Sequence, residues 1–240
     1  NLYNSGDKDT KQNENLANKF AKKACDLGDK DTCERIKQRQ TFESSYNKCV
    51  AGDKAMCKEI TQQKSFSKFI EHCDFGDNGI CGLIGQIYYL AEEYKTAKPY
   101  LKKACDNDIY INCFLLAQVY GIFEKDSPNG AKYYEVVCNK ASGTIKGLGC
   151  GYLGSYYAMG SGVRQDIKKA YSLFKLSCES GFSAGCFSIA NGYEIGLPEY
   201  GIKQNMRTAK EYYGRGCDLG NDGYEYSCAK YRELNEQGIP

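Results

Sequence analysis

Cysteine is the residue type with the clearest chemical potential in this sequence. Fourteen cysteines form seven couples, five of them spaced by eight residues: Cys25 and Cys33, Cys49 and Cys57, Cys73 and Cys81, Cys105 and Cys113, Cys138 and Cys150, Cys178 and Cys186, and Cys217 and Cys228. An even, regular set of this kind predicts a disulfide framework formed in an oxidising compartment. Metal binding by reduced thiols is the alternative. Zinc sites usually contain closely spaced cysteines together with histidine, whereas this chain has no CxxC and a single histidine, His72.

Serine and lysine side chains could support acyl transfer. Three S-x-x-K matches occur: Ser45–Lys48, Ser65–Lys68 and Ser172–Lys175. Serine β-lactamases combine this motif with S-D-N and K-T-G elements, and this chain has neither. His72 lacks the free thiol or second histidine needed for a nucleophile–base pair. We therefore predict no catalytic residue, no metal site and no cofactor.

The cysteine couples mark an internal repeat, and such a period takes precedence over chain length in assigning the architecture. A small residue stands eight positions before the first cysteine of every couple: Ala17, Thr41, Ser65, Ala97, Gly130, Ala170 and Ala209. Bulky residues mostly precede that cysteine by four or five positions. Residues three and four apart share one helical face, so a first helix is predicted to end at each first cysteine.

A second helix is predicted to begin at each second cysteine. Glycine follows the first cysteine by three positions in five copies, with Asp108 and Ala141 as exceptions, and glycine commonly caps a helix end. After the second cysteine, four copies place apolar, small and tyrosine residues on one helical stripe: IGQIY (84–88), LAQVY (116–120), LGSYY (153–157) and IANGY (189–193). Each unit is thus predicted to be an antiparallel helix pair. Its tight turn can bring two cysteines within disulfide distance.

The segment LGSYYAMGSGVRQDIKKAYSLF (153–174) resembles the Sel1-like repeat, a relative of the tetratricopeptide repeat. With a cysteine couple in each helix pair, the chain is similar to the cysteine-rich Sel1-like proteins of Helicobacter, best over residues 80–230. The resemblance implies an all-α fold, a right-handed α/α superhelical solenoid whose helix pairs are each stapled by a disulfide. Members of that family have been labelled β-lactamases, so weak β-lactam binding or hydrolysis is the alternative function.

The predicted domain organisation is one solenoid over residues 1–240, with about six to seven repeats. Residues 1–13 resemble a partial repeat, and the repeats near 34–72 are shortened. We predict breaks in that shortened region near Gln38–Gln40 and Gln62–Lys64. One unbroken helix in each gap is the alternative.

Charge and hydropathy restrict the partners. The net charge is +2 with the charges interspersed, which favours no nucleic-acid partner, and no apolar stretch is long enough for a membrane span. The cysteines and the family resemblance predict a bacterial protein that is secreted or periplasmic after removal of a signal peptide. The predicted function is a scaffold whose concave face, lined mainly by first helices, binds an envelope protein, a host protein or a cell-wall fragment. The candidate ligand contacts are Tyr133, Tyr134, Tyr212 and Tyr213.

Overall fold

The computed structural model describes Lys19, residues 22–221 and residues 224–240. Over these residues the chain is helical, and its extended structure is confined to an isolated bridge between Leu197 and Ile202. The chain divides into two compact units. One runs to Phe66 and includes Leu90–Glu92, and the other contains Ser67–Tyr89 and Glu93–Pro240. The predicted partial repeat at residues 1–13 lies outside the described residues.

The first unit contains helix α1 (Lys30–Val50) and helix α2 (Lys54–Gln62). Helix α1 is continuous, so the predicted break at Gln38–Gln40 is wrong and the unbroken alternative applies there. No glycine or proline interrupts this stretch, and Asp29 caps its start by accepting a hydrogen bond from the Thr32 amide. The second gap does contain a break, because α2 ends at Gln62 and the next helix begins at Phe66.

The second unit is a series of helix pairs. Its helices are α3 (Phe66–Asp74), α4 (Asn78–Leu90), α5 (Tyr94–Cys105), α6 (Tyr110–Gln118), α7 (Ser127–Lys140), α8 (Gly143–Met159), α9 (Ile167–Glu179), α10 (Ser183–Ile195), α11 (Met206–Leu219) and α12 (Tyr224–Glu236). A π-helical turn, Val119–Phe123, extends α6, and a 3-10 turn, Pro198–Tyr200, follows α10. From α5 onward each helix packs against the next one. The second helices also contact one another, α6 with α8, α8 with α10 and α10 with α12.

Seven disulfides join the sequential cysteine couples, with Cα–Cα separations from 4.5 Å to 4.8 Å. The bridged residues are Cys25 and Cys33, Cys49 and Cys57, Cys73 and Cys81, Cys105 and Cys113, Cys138 and Cys150, Cys178 and Cys186, and Cys217 and Cys228. With all fourteen cysteines bridged, no thiol is free to bind a metal ion. The predicted all-α solenoid of disulfide-stapled helix pairs is confirmed.

Two of the bridges have a longer spacing than the rest. Five close over eight residues, whereas Cys138 to Cys150 spans twelve and Cys217 to Cys228 spans eleven. The additional four or three residues amount to about one helical turn. The second cysteine therefore returns to the same helix face, and the bridge geometry is kept.

A small residue beside the disulfide lets the two helices of a pair approach closely. A Cβ atom at Gly149 would lie 2.6 Å from Val137 Cγ1, and one at Gly185 would lie 2.6 Å from Ser177 Cβ. Each of these four residues directly precedes a cysteine. In both pairs the glycine makes room for the residue on the partner helix. This pairing was not predicted, although it is visible in the sequence once the residues before the two cysteines are compared.

A charged hydrogen-bond cluster lies at the C-terminal end of the second unit. Glu194 accepts hydrogen bonds from the Tyr213 hydroxyl at 2.5 Å and from Lys230 Nζ at 2.9 Å. Burial acts to raise the pKa of Glu194, but these two hydrogen bonds and the Lys230 charge outweigh it and hold that pKa below its usual value. Burial and then the bond to Glu194 raise the pKa of Tyr213, whose side chain is fully buried.

Replacing Tyr213 with phenylalanine should destabilise the protein, most clearly near neutral pH. A lowered folded-state pKa means that ionised Glu194 stabilises the fold above its unfolded pKa of about 4.3, and that this contribution is lost as the pH falls through the folded value. We expect Tyr213→Phe to reduce the free energy of unfolding by about 1.5–3 kcal/mol at pH 7 and to flatten its acid dependence. Urea denaturation across pH would measure both effects. The adjacent, half-buried Tyr212 gives the control Tyr212→Phe, and an unchanged acid dependence in Tyr213→Phe would contradict this assignment.

Candidate functional site

One face of four second helices carries no charged residue. Counted from the second cysteine of α4, α6, α8 and α10, positions −2, +2, +5 and +9 are separated by three or four residues and so share a helical face. Within the second unit we call this the second-helix face, and it comprises Gly79, Leu83, Gln86, Ile111, Leu115, Gln118, Ile122, Leu148, Tyr152, Ser155, Met159, Ala184, Ser188, Asn191 and Ile195. All of these residues are half-buried or exposed. The sequence alone could have revealed this face, because charged residues are absent at the same positions relative to the second cysteine of these four helices.

Charges are instead concentrated on the first helices. Helix α5 carries Lys102 paired with Asp106 at 2.5 Å, and helix α11 carries Arg207 paired with Glu211 at 3.5 Å. These pairs are exposed and spaced by one helical turn, as expected on a solvated helix surface. The sequence placed the binding face on the first helices. In the structure the uncharged surface lies on the second helices, several of which contact one another.

A pocket of about 230 Å³ opens between helices α8 and α10. Its lining consists of Gly151, Tyr152, Ser155, Phe174, Phe182, Ala184, Gly185 and Ser188. The aromatic rings come from α8, from the neighbouring first helix α9 and from the turn before α10. The small residues come from the two facing second helices. The pocket is therefore uncharged, with aromatic walls and the hydroxyl-bearing side chains of Tyr152, Ser155 and Ser188.

The hydroxyl groups of the two pocket serines each donate a hydrogen bond to a backbone carbonyl of their own helix. Ser155 Oγ donates to the Gly151 carbonyl at 3.2 Å, and Ser188 Oγ donates to the Ala184 carbonyl at 2.9 Å. A hydroxyl has one proton and two lone pairs. With the proton used, both serines offer acceptor capacity to a group that enters the pocket.

Two amide side chains on the second-helix face are held by neighbouring residues. Gln86 Nε2 donates to Asn112 Oδ1 at 3.1 Å, and the Tyr89 hydroxyl donates to Gln118 Oε1 at 2.7 Å. Each bond fixes one end of an amide and leaves the other end for a further partner. The face thus presents an oriented acceptor at Gln86 and an oriented donor at Gln118.

The four candidate tyrosines lie mainly in the core. Tyr134 and Tyr213 are fully buried, and Tyr133 is 8% exposed. The Tyr133 ring stacks on Tyr120, with ring centroids 5.5 Å apart, and the half-buried Tyr212 ring stacks on Tyr193 at 6.1 Å. Burial leaves little of Tyr133, Tyr134 and Tyr213 available as ligand contacts, because the helix-pair stripe draws these rings into packing. Only Tyr212 retains substantial exposure.

The S-x-x-K residues do not converge on the pocket. Ser172 is exposed on helix α9, where its hydroxyl donates to the Lys168 carbonyl at 3.1 Å, and none of the three motif serines lines the pocket. His72 is exposed at the end of α3. Across the part of the chain that the structure describes, no three His, Cys, Asp or Glu side chains are grouped to hold a metal ion. None of the helices described there combines the length and hydropathy needed to cross a membrane.

Comparison with known proteins identifies the repeat. The Sel1 repeat profile matches residues 1–29, 148–182 and 183–221. A Sel1 repeat protein from Oxalobacter formigenes has a similar fold, with a TM-score of 0.61 and 20% identity, over 82% of this chain and 76% of that one. Helicobacter pylori cysteine-rich protein B is 24% identical, with a TM-score of 0.42, over 57% of this chain and 93% of that one. Sel1 repeats are generally protein-interaction scaffolds without enzymatic activity, and these findings give no support to a β-lactamase or other hydrolase.

The curated relatives change the predicted localisation. Cytochrome c oxidase assembly factor 7 of Mus musculus is 30% identical over 135 residues, which are 53% of this chain and 54% of that protein. The human protein of the same name is also 30% identical over 135 residues. This chain spans about half the length of the curated relatives it matches.

The prediction of a secreted or periplasmic bacterial protein is therefore wrong, because these relatives are animal proteins named for cytochrome c oxidase assembly. Cysteine couples indicate an oxidising environment, which the disulfides still fit, but they do not identify the organism or the compartment. The repeat profile, the helix-pair fold and the similar solved structures agree on one assignment. The chain carries matches to the Sel1 repeat at residues 1–29, 148–182 and 183–221 and is similar in fold to a Sel1 repeat protein.

Proposed function

We propose that this protein is an interaction scaffold that holds an extended, uncharged segment of a partner protein on the second-helix face. The observation that carries the proposal is the absence of charge at all fifteen positions of that face, in a chain that is 26% charged. Burying a partner's charge against such a surface would leave it unpaired, which is costly. The surface therefore selects for apolar and neutral polar partner residues.

The oriented amides support an extended partner. A peptide backbone exposes N–H donors and C=O acceptors along its length. Gln86 offers its carbonyl oxygen and Gln118 its amide nitrogen, because their opposite ends are already hydrogen-bonded. Main-chain hydrogen bonds of this kind would hold an extended segment with little dependence on its sequence.

The names of the curated relatives support the same class of function. Cytochrome c oxidase assembly factor 7 is named for the assembly of a multisubunit complex, a process that requires contacts between proteins. A face that recognises uncharged, extended chain suits a partner whose apolar surface is not yet covered. We therefore propose an assembly or holding role for this chain.

A negative charge on the second-helix face should strongly reduce partner capture. We expect Gln118→Glu to reduce photo-cross-linking from a benzoylphenylalanine placed at Leu115 by about tenfold or more, since a buried unpaired charge costs over about 1.4 kcal/mol. The cross-linked partner segment would be sequenced by mass spectrometry from an extract of the native source. It should lack charged residues over the length that contacts the face.

The exposed first-helix residue Lys132 supplies the matched control. Lys132→Glu adds negative charge outside the face and should leave capture at Leu115 unchanged. Capture of a charged segment, or equal loss in both variants, would count against the proposal.

A further inference from the structure

The pocket between α8 and α10 exists because two second helices depart from the pattern of the preceding copies. At position +2 from the second cysteine, α4 and α6 carry Leu83 and Leu115, whereas α10 carries Ser188. At position +5, α4 and α6 carry glutamine, whereas α8 carries Ser155. The smaller serines leave open the space that leucine and glutamine occupy elsewhere. The small side chain of Ala184 adds to that opening.

The dimensions of the pocket suit a single side chain. Its volume of about 230 Å³ lies below the roughly 300–1,000 Å³ of typical small-molecule sites. The rings of Tyr152, Phe174 and Phe182 provide aromatic walls, and aromatic groups pack favourably against such walls in stacked or edge-to-face geometry. No charged residue lines the cavity, so an ionised side chain would be buried without a partner.

The two serine hydroxyl groups further restrict which side chain could bind in the pocket. Ser155 and Ser188 already donate their protons to helix carbonyls, so they offer acceptors to an entering group. A neutral aromatic side chain with one hydrogen-bond donor satisfies both the walls and the acceptors. We propose that this pocket is a specificity site for a tryptophan or tyrosine side chain of the segment bound on the second-helix face. This inference rests on the proposed function for the origin of that side chain.

The pocket can be tested with small probes, independently of any protein partner. Indole and indene have nearly the same shape, but only indole carries an N–H donor. We expect indole to bind with a dissociation constant on the order of 1 mM and to shift the backbone NMR signals of residues 151–155 and 182–188. Indene should bind about threefold to tenfold more weakly, because it cannot donate to the serine oxygens.

Two variants distinguish the effect of filling the pocket from the effect of removing its hydrogen-bond acceptors. Ser188→Leu restores the residue present in α4 and α6, and it should weaken indole binding at least tenfold without lowering thermal stability. The double variant Ser155→Ala/Ser188→Ala should retain indene binding and lose the preference for indole. Ser172→Leu makes the same chemical change on exposed α9 and should leave both probes unaffected.

Equal affinity for indole and indene, or unchanged indole binding in Ser188→Leu, would overturn the inference. Its failure is distinguishable from that of the proposed function. If cross-linking from Leu115 persists while indole does not bind, the specificity pocket alone is rejected. If indole binds as expected while no uncharged segment is captured, the pocket stands as an aromatic site and the scaffold proposal is rejected.

Discussion

Removing the Cys178–Cys186 disulfide should destabilise the protein by about 3–5 kcal/mol. The bridge closes a short loop, and chain-entropy reasoning assigns about 2.5 kcal/mol to a loop of this length. Both cysteines are also fully buried, so Cys178→Ala/Cys186→Ala leaves unfilled space in the helix-pair core, with a further loss of about 1–2 kcal/mol. Phe182, Ala184 and Gly185 lie inside this loop. The variant should therefore also lose the pocket wall and weaken indole binding.

The Cys25–Cys33 bridge provides a control with the same spacing of eight residues. Its two cysteines are only half-buried, so Cys25→Ala/Cys33→Ala should lose mainly the loop-closure contribution. Guanidinium denaturation of both double variants under oxidising conditions would measure the difference. Equal losses would show that burial of the Cys178–Cys186 sulfurs adds nothing. Peptide mapping of unreduced protein would test the sequential pairing itself.

Replacing Gly162 with alanine should cost about 2–5 kcal/mol. Gly162 has a φ of +69°, a left-handed conformation that costs an ordinary residue about 1–2 kcal/mol. A Cβ atom there would also lie 2.5 Å from the Pro128 backbone nitrogen, and overpacking of this kind typically adds about 1–3 kcal/mol. The inter-repeat turn rests directly on the start of α7, so neither backbone can move independently. Thermal and chemical denaturation would measure the loss.

Gly201 separates the two causes. It has a φ of +83°, but a Cβ atom at this position would have nothing within 4 Å, so Gly201→Ala should lose only the conformational contribution. If the two alanine variants were equally destabilised, close packing of residue 162 against the start of α7 would contribute nothing to the loss of unfolding free energy.

The helix pairs and their bridges could be predicted because each repeat shows the same local pattern several times. Small residues at −8, cysteines at the turn and an apolar stripe after Cys186 all reflect short-range helical geometry. The continuous helix α1 was harder to predict. Its Ile36 and Phe42 are only half-buried, so no core enforces the phase between them, and their out-of-phase spacing is compatible with an unbroken helix.

The candidate site was missed for a different reason. Tyrosine is conspicuous in the sequence, yet Tyr134 and Tyr213 are drawn into the core by the stripe that forms the helix pair. The pocket depends on the small side chains of Ser155 and Ser188. Its volume arises only when helices from successive repeats pack together. A comparison of equivalent positions could have identified these serines. That comparison could not have shown which aromatic rings line the pocket beside these serines.

Each of the seven disulfides closes one short loop, and none links cysteines of different couples. The oxidised chain can therefore be extended between the bridges while every loop stays closed. When fully stretched, it would be about 200 Å shorter than the reduced chain, because the looped residues no longer contribute to its length. Under tension the protein would behave as a short tether bearing seven closed loops, each able to resume its own turn when the load is released.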